Sequence, residues 1–500
     1  MTMARSSLHP LGILLAVAIA LTACAGPGGG MQSSRDLVVR LNSDWDSLDP
    51  AKTRTTYGYQ LVTTLYDRLV TVADGKVVPY LAESWTQTPD TVRLTLRRGA
   101  RCASGTELTP TMVAASLRRL GAKETAAPYA SLVFGGSGYT VTADDAARTV
   151  TVRTGRPYSD LLMGLAQPMA SIICPEGLRA ADTLAATPAG SGPYTLAAST
   201  RGASYRLTAR PGYTWGPERE GSYPDAVTFK VVQNDSTAAN MLAAGDLDVS
   251  WVGGPDLARV RANPAVKPVS QLIYGSFMLV FNQAKGRPGA DPAVRRALAV
   301  AVSAQSFNEA AFFGEGEPAG SVVSEEVPCH RVVRPPAAAA ATVDVDLKLV
   351  GSTDYAAGYE YVLEALRKAG ASVRLQLVEL NSFAEVMFTS GDWDVTVYPF
   401  TPLAPSLGAL GMFVTGAAPP DGANFASIGN KAFEASVAKA QASLGEERCR
   451  HWGDAQRAIV ENADVVPLVH SKPYWFVRDG FAAGLAGGGT MVDPHELARR

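Results

Sequence analysis

Five cysteines and five histidines are the side chains of this 500-residue sequence best suited to metal, redox or nucleophilic chemistry. Two short groups, Cys329-His330 and Cys449-Arg450-His451, together hold the ligand set of a tetrahedral zinc site. Vicinal ligands fit one metal poorly, and the same thiols can instead oxidise to a disulfide, so no metal is expected. Cys102, Cys174, Cys329 and Cys449 form an even set with three possible pairings, among which their number does not choose. His9 belongs to the N-terminal stretch and His495 to the terminal tail, which leaves His330, His451 and His470 for acid–base work. Asp246 and Asp248 flank Leu247 at the spacing of a turn entering a strand, a structural pattern. "SEE" (Ser324 to Glu326) and "EER" (Glu446 to Arg448) are most simply solvated faces. The sequence contains no G-x-S-x-G elbow, H-E-x-x-H, Walker loop or G-x-G-x-x-G before a helix. An enzyme therefore has no nucleophile–base pair to stand on, and no cofactor is expected.

Aromatic residues are more informative. Trp45, Tyr57, Tyr59, Trp251, Tyr274, Tyr398, Phe400, Tyr474 and Trp475 fall at expected strand ends or in loops. As a group they suit a deep, mostly apolar cleft carrying a few polar groups.

The elements that must position them alternate between strand and helix. "DLVVRL" from Asp36 is a strand followed by a turn-rich stretch, and Tyr57 to Val70 carries Leu61, Leu65 and Leu69 at helical spacing. "VRLTLRRG" from Val92 alternates like a half-buried strand. Thr109 and Pro110 form an N-cap and N1 pair that opens a helix. "YTVTADDAARTVTVRT" from Tyr139 reads as two strands joined by a polar turn. "GSGPYTL" from Gly190 is a turn leading into a strand, and "YRLTAR", "AVTFKVV" and "LDVSWV" are further strands. A short helix, Thr237 to Ala244, is stopped by Gly245. Asp291 caps a helix that runs to Val302. Beyond the linker-like "RPPAAAAATVD", "VDLKLVGS", "YEYVLEALRKAG" and "ASVRLQLVEL" form a βαβ unit, and "WDVTVYPF" and "VVPLVHS" add strands. The whole is mixed α/β with two or three lobes.

Formal net charge is −2, with no electrostatic footprint for nucleic acid. Ile13 to Leu21 is apolar, follows Arg5, and is shorter than the ~18 residues of a membrane span. This is the shape of a secretory signal. Its last residues, Leu21-Thr22-Ala23-Cys24, resemble the bacterial lipobox. That resemblance implies a signal peptide over 1–23, a diacylated Cys24 and a flexible tether over 24–34, anchoring an extracytoplasmic protein to the cell membrane.

Read in order, "SLDPA" (Ser47 to Ala51), "LYDRLV" (Leu65 to Val70), the segment from Pro79 to Pro110, "GSGPYTL", the segments Asp225 to Val249 and Phe281 to Ser303, "GDWDVTV" (Gly391 to Val397) and "VVPLVHS" resemble one family. It is the peptide/nickel-binding family, family 5, of ABC-importer extracytoplasmic solute-binding proteins. The resemblance runs from about Leu37 to Gly480. It implies an α/β, two-lobed periplasmic-binding-protein-like fold of the class II, cluster C type, with an extra subdomain in lobe I. Mapped here, lobe I takes 35–60, 185–272 and 470–500, the subdomain 61–184 and lobe II 273–469. Bridges within a lobe leave closure free, so this mapping favours Cys102–Cys174 and Cys329–Cys449.

The implied function is capture of a peptide-like or hydrophobic small molecule between the lobes by a monomeric receptor. The captured solute passes to an ABC permease and its ATPase subunits, which spend the ATP elsewhere. The alternative is an envelope signalling or interaction lipoprotein that kept the fold without transport. By position, ligand contacts are expected at Thr55, Thr56, Tyr57, Tyr129, Phe383, Tyr398, Phe400 and Trp475. Peptide binders of the family hold the free amine with an aspartate after the strand matching "WDVTV", and some place an arginine slightly earlier. Counted without gaps those positions are Leu403 and Val397. A buried ammonium without its carboxylate is costly. Unless Asp392, Asp421 or another acid substitutes, a blocked, less charged or aromatic-rich ligand is expected.

Overall fold

A computed structural model describes residues 36–499 except 137, 220 and 335–342. Cys24, the signal segment, the tether and most of the alanine-rich linker lie outside the described residues. A seven-stranded sheet has the order Val266–Ser270, Tyr474–Arg478, Val249–Trp251, Leu37–Leu41, Ala226–Val231, Ser204–Ala209, Tyr194–Thr200. Leu37–Leu41 at its centre pairs in parallel with Ala226–Val231, Leu37 opposite Val227. A six-stranded sheet has the order Glu317–Pro318, Val465–His470, Phe277–Phe281, Val395–Pro399, Asp346–Ser352, Ser372–Val378. The chain crosses from the first sheet to the second between Ser270 and Phe277, and returns between His470 and Tyr474. Ile273 N donates to Ser471 O at 3.0 Å, so the two crossovers are bonded to each other. The result is a two-lobed α/β fold.

Local chemistry explains the elements. Thr109 accepts from Met112 N and Pro110 occupies the first turn of helix Pro110–Leu120. Asp291 caps helix Pro292–Ala299 in the same way. Asp346–Ser352 and Ser372–Val378 pair in parallel across helix Ala356–Lys368, a right-sized βαβ unit. A third, four-stranded antiparallel sheet, Ala82–Gln87, Thr91–Leu96, Thr149–Arg153 and Thr140–Asp144, shares one continuous core with the seven-stranded lobe. The six-stranded lobe packs two cores of its own, one on each face.

The recurrent motifs are joints of this scaffold. Asp49 of "SLDPA" is 1% exposed and takes both Arg119 Nη1 (3.0 Å) and Nη2 (2.5 Å), tying the first lobe to helix Pro110–Leu120. Asp67 of "LYDRLV" is fully buried and accepts from Tyr80 Oη, Tyr213 Oη (2.9 Å) and Trp215 Nε1 (2.8 Å). Asp248 accepts from Val38 N at 2.9 Å and pairs with Arg478, the structural role its spacing suggests. Disulfides join Cys102 to Cys174 (Cα–Cα 6.0 Å) and Cys329 to Cys449 (4.6 Å).

Three expectations need correction, the first being that "SEE" is solvated: Ser324 is fully buried and Glu326 accepts from Gln271 Nε2 at 2.7 Å. His495 is not in a loose tail. It is 4% exposed in strand Met491–Arg499, with Nε2 2.7 Å from Tyr80 Oη and Nδ1 2.8 Å from Tyr223 Oη. Its partners lie hundreds of residues away, so local sequence carries no sign of them. "EER" is not wholly a solvated face either, because Arg448 turns inward to Asp160 at 2.5 Å.

Candidate functional site

Between the two lobes lies a cavity of about 200 Å³. One wall comes from the loop and helix after the first strand (Arg54, Thr56, Tyr59) and from the four-stranded region (Tyr129, Leu132, Gln167, Met169). The facing wall is one stretch of the six-stranded lobe, Tyr398 to Leu403, with Ala409 and Phe413.

The first wall is set by Asp46. Its carboxylate accepts from Arg54 N and Thr55 Oγ1, both at 2.7 Å, and Thr55 in turn caps helix Thr56–Leu65 by accepting from Gly58 N at 3.1 Å. Tyr59 Oη donates to Thr53 O at 2.7 Å. This loop is therefore pre-formed, with Arg54 at its rim. The second wall is an aromatic stack: Tyr398 lies 4.6 Å from Phe425 and 6.1 Å from Phe413, and Phe400 lies 6.3 Å from Phe413. Such a wall offers rigid apolar surface at small entropic cost.

Burial pushes the Tyr59, Tyr129 and Tyr398 phenols above their ordinary value, so all three stay protonated at physiological pH. Tyr129 and Tyr398 both line the cavity, and their phenols lie within electrostatic reach of each other. Among the described residues no Asp or Glu lines the cavity and Arg54 is the charged residue of its lining, while the Asp46 carboxylate beside the first wall is within electrostatic reach of Tyr59 and Tyr129. Leu403, where a count without gaps puts the amine-binding aspartate, lies on the wall; Val397 is buried in the sheet opposite Leu279. Asp392 is held outside the cavity by Lys348 at 2.6 Å and Arg287 at 3.6 Å, and Asp421 is exposed elsewhere.

Of the eight expected contacts, the structure brings Thr56, Tyr129, Tyr398 and Phe400 together on this cavity. Thr55 is a cap beneath it. Tyr57 is half-buried outside it, within electrostatic reach of Asp354 and Asp235. Phe383 is 3% exposed and packs in the core behind the second wall. Trp475 is 6% exposed, opposite Trp251 in the first sheet, and its Nε1 donates to Gly489 O at 2.9 Å. Arg54, Gln167, Met169 and Phe413 escaped the sequence reading. Arg54 directly precedes the predicted Thr55-Thr56-Tyr57 run, a signal that could have found it.

Known proteins place the chain among relatives. Residues 76–416 match the model of bacterial extracellular solute-binding proteins, family 5. The chain is 25% identical over 492 residues to a protein of Salmonella choleraesuis named glutathione-binding protein GsiB, covering 90% of this chain and 94% of that one. It is 30% identical, with a TM-score of 0.79, to a substrate-binding protein of Microbacterium hydrocarbonoxydans solved with 4-hydroxybenzoate hydrazide, over 93% of this chain and 100% of that one. The fold also matches a dipeptide-binding protein of Pseudoalteromonas sp. SM9913 solved with Met-Leu, at 18% identity, a TM-score of 0.76 and the same coverage of this chain, 93%. The chain thus belongs to the family 5 bacterial extracellular solute-binding proteins, receptors that work with ABC permeases and their ATPases and are not enzymes.

Proposed function

We propose that this receptor encloses a compact, ring-bearing ligand without a free ammonium between its lobes and delivers it to its permease. The observation that carries this reading is the carboxylate-free aromatic cavity, with Tyr129 facing Tyr398 and Phe400 and with Arg54 as its charged residue. A volume of about 200 Å³ lies below the ~300–1,000 Å³ of drug-sized sites, which suits one ring or one or two residues rather than a long peptide. The 4-hydroxybenzoate hydrazide held by the Microbacterium relative is of that size and class. Glutathione, named for the Salmonella relative, carries carboxylates that an arginine can pair with, but its free amine would find no carboxylate among the residues lining the cavity.

The same proposal includes the lobe limits 35–60, 185–272 and 470–500 against 273–469, with 61–184 as subdomain. It also includes a monomeric state and a lipid anchor at Cys24. Titration calorimetry with 4-hydroxybenzoate hydrazide, Met-Leu and N-acetyl-Met-Leu tests the ligand class. The hydrazide should bind most tightly, and acetylation should not weaken the dipeptide. A marked preference for free-amine Met-Leu would overturn the reading.

A further inference from the structure

Asp160 stands at the N-cap of helix Leu161–Leu165, yet its side chain makes no capping bond. The carboxylate, 3% exposed as a side chain, leaves its own lobe instead. Oδ1 accepts from Arg448 Nη2 at 2.5 Å and from Ser406 Oγ at 2.6 Å, and Oδ2 accepts from Gln441 Nε2 at 2.7 Å. The preceding Ser159 reinforces the joint: its N donates to Gln441 O at 3.1 Å and its Oγ accepts from Arg448 Nε at 3.0 Å.

The groups belong to different bodies. Leu161 and Leu162 pack in the core shared by the seven- and four-stranded sheets, whereas Leu407, Ala440 and Trp452 pack in a core of the six-stranded lobe. The close approach is built in, because a Cβ on Gly408 would meet Asp160 Oδ2 at 2.8 Å. The joint also adjoins the ligand cavity: Leu132, Gln167, Pro402 and Ala409 line both the cavity and the small recess at Asp160.

Charge pairs of this kind act differently on folding and on closure. While the lobes touch, removing one partner strands the other in a largely dry contact. Once the lobes part, both groups return to water and neither needs the other. Breaking the pair therefore disfavours the closed arrangement relative to the open one, with little effect on the stability of either lobe.

We propose that Asp160 and Arg448 form an interlobe latch that biases the receptor toward closure before any ligand binds, so that an enclosed ligand is retained longer. This rests on the reading that the lobes close around a ligand. These are positioning residues, since neither lines the cavity.

The test needs no ligand. Spin labels at exposed Lys123 and Lys439, introduced as K123C and K439C in a chain carrying Cys24→Ala, report the interlobe distance in the ligand-free protein by pulsed electron resonance. Asp160→Asn and Arg448→Met should each lower the ratio of short to long distances about tenfold. The exchanged pair D160R/R448D should recover part of it, and ligand-free melting temperatures should stay near that of the parent. Should one variant fail to fold, the other and Gln441→Met give the same readout. Distance distributions that coincide with the parent, or melting losses that track the distance change, would overturn the latch. Such a failure leaves the ligand class untouched, and a failed calorimetric titration leaves the latch untouched.

Discussion

A methyl group built on Gly275 would lie 1.9 Å from the carbonyl oxygen of Phe400. Gly275 sits in the first crossover between the lobes and Phe400 on the cavity wall, so crossover and wall touch backbone to backbone. The contact is locked from both sides: Phe400 N donates to Ser276 O at 3.1 Å, and His470 Nδ1 donates to Gly275 O at 2.7 Å. Gly275→Ala must push the wall away from the crossover. Overpacking of this type costs about 1–3 kcal/mol, which should appear as a lowered melting temperature. Because the displaced stretch carries Tyr398 and Phe400, affinity for 4-hydroxybenzoate hydrazide should fall as well. Unchanged melting and affinity would show that the crossover can yield without moving the wall.

Arg54 gives the cavity its sign, and two probes of one shape can isolate that contribution. 4-Hydroxybenzoate and its hydrazide differ in charge but share the ring and hydroxyl. Arg54→Met keeps an apolar stem at the rim and removes the guanidinium. The benzoate should weaken about tenfold, the scale of one charge-assisted hydrogen bond, while the hydrazide changes little. Equal losses by calorimetry would mean that Arg54 shapes the cavity and does not pair with the ligand.

Much of this molecule could be read from sequence where the signal is local. Thr109-Pro110 and Asp291-Pro292 cap the helices they announced, and the βαβ unit from Asp346 to Val378 has its strands and helix where the periodicity put them. Tyr398 and Phe400 could be placed because they follow the "GDWDVTV" motif, and Tyr129 by its position in the resemblance. What remained hidden is contact across long separations. Gln167 and Phe413 meet at the cavity from segments with no motif, Arg448 finds Asp160 288 residues away, and His495 finds Tyr80 415 residues away. A carboxylate or imidazole in a polar stretch looks the same whether water or a distant partner satisfies it.

Burial of His495 has a consequence for acid stability. Enclosure among Tyr80 and Tyr223, with Arg68 and Arg219 opposing the charge and Asp493 favouring it, lowers its pKa to about 4. The folded state thus takes up this proton less readily than the unfolded chain does. Its contribution is fully present above the ordinary histidine value and is lost as pH falls from about 6.5 towards 4, by roughly 3 kcal/mol over the interval. His470 and His330, also lowered by burial, act in the same direction, while Asp67, raised by burial, acts in the opposite one. Melting temperature should therefore drop across that window, and His495→Gln should flatten the drop although it lowers the plateau. A variant with the parent's slope would assign the acid sensitivity to the other histidines.

The lipobox resemblance sets Cys24 apart from the four cysteines that staple individual lobes. Each buried methylene adds about 0.8 kcal/mol and a single acyl chain anchors only marginally, so a diacylated cysteine suffices where a thiol does not. In cells, Cys24→Ala should move the protein from the membrane to the soluble extracytoplasmic fraction. Its melting temperature and its affinity for 4-hydroxybenzoate hydrazide should match the parent, because the cavity and both lobes are untouched. Fractionation that finds the alanine variant still in the membrane would show that the apolar stretch from Ile13 to Leu21 is itself the anchor, and that the lipobox resemblance misleads.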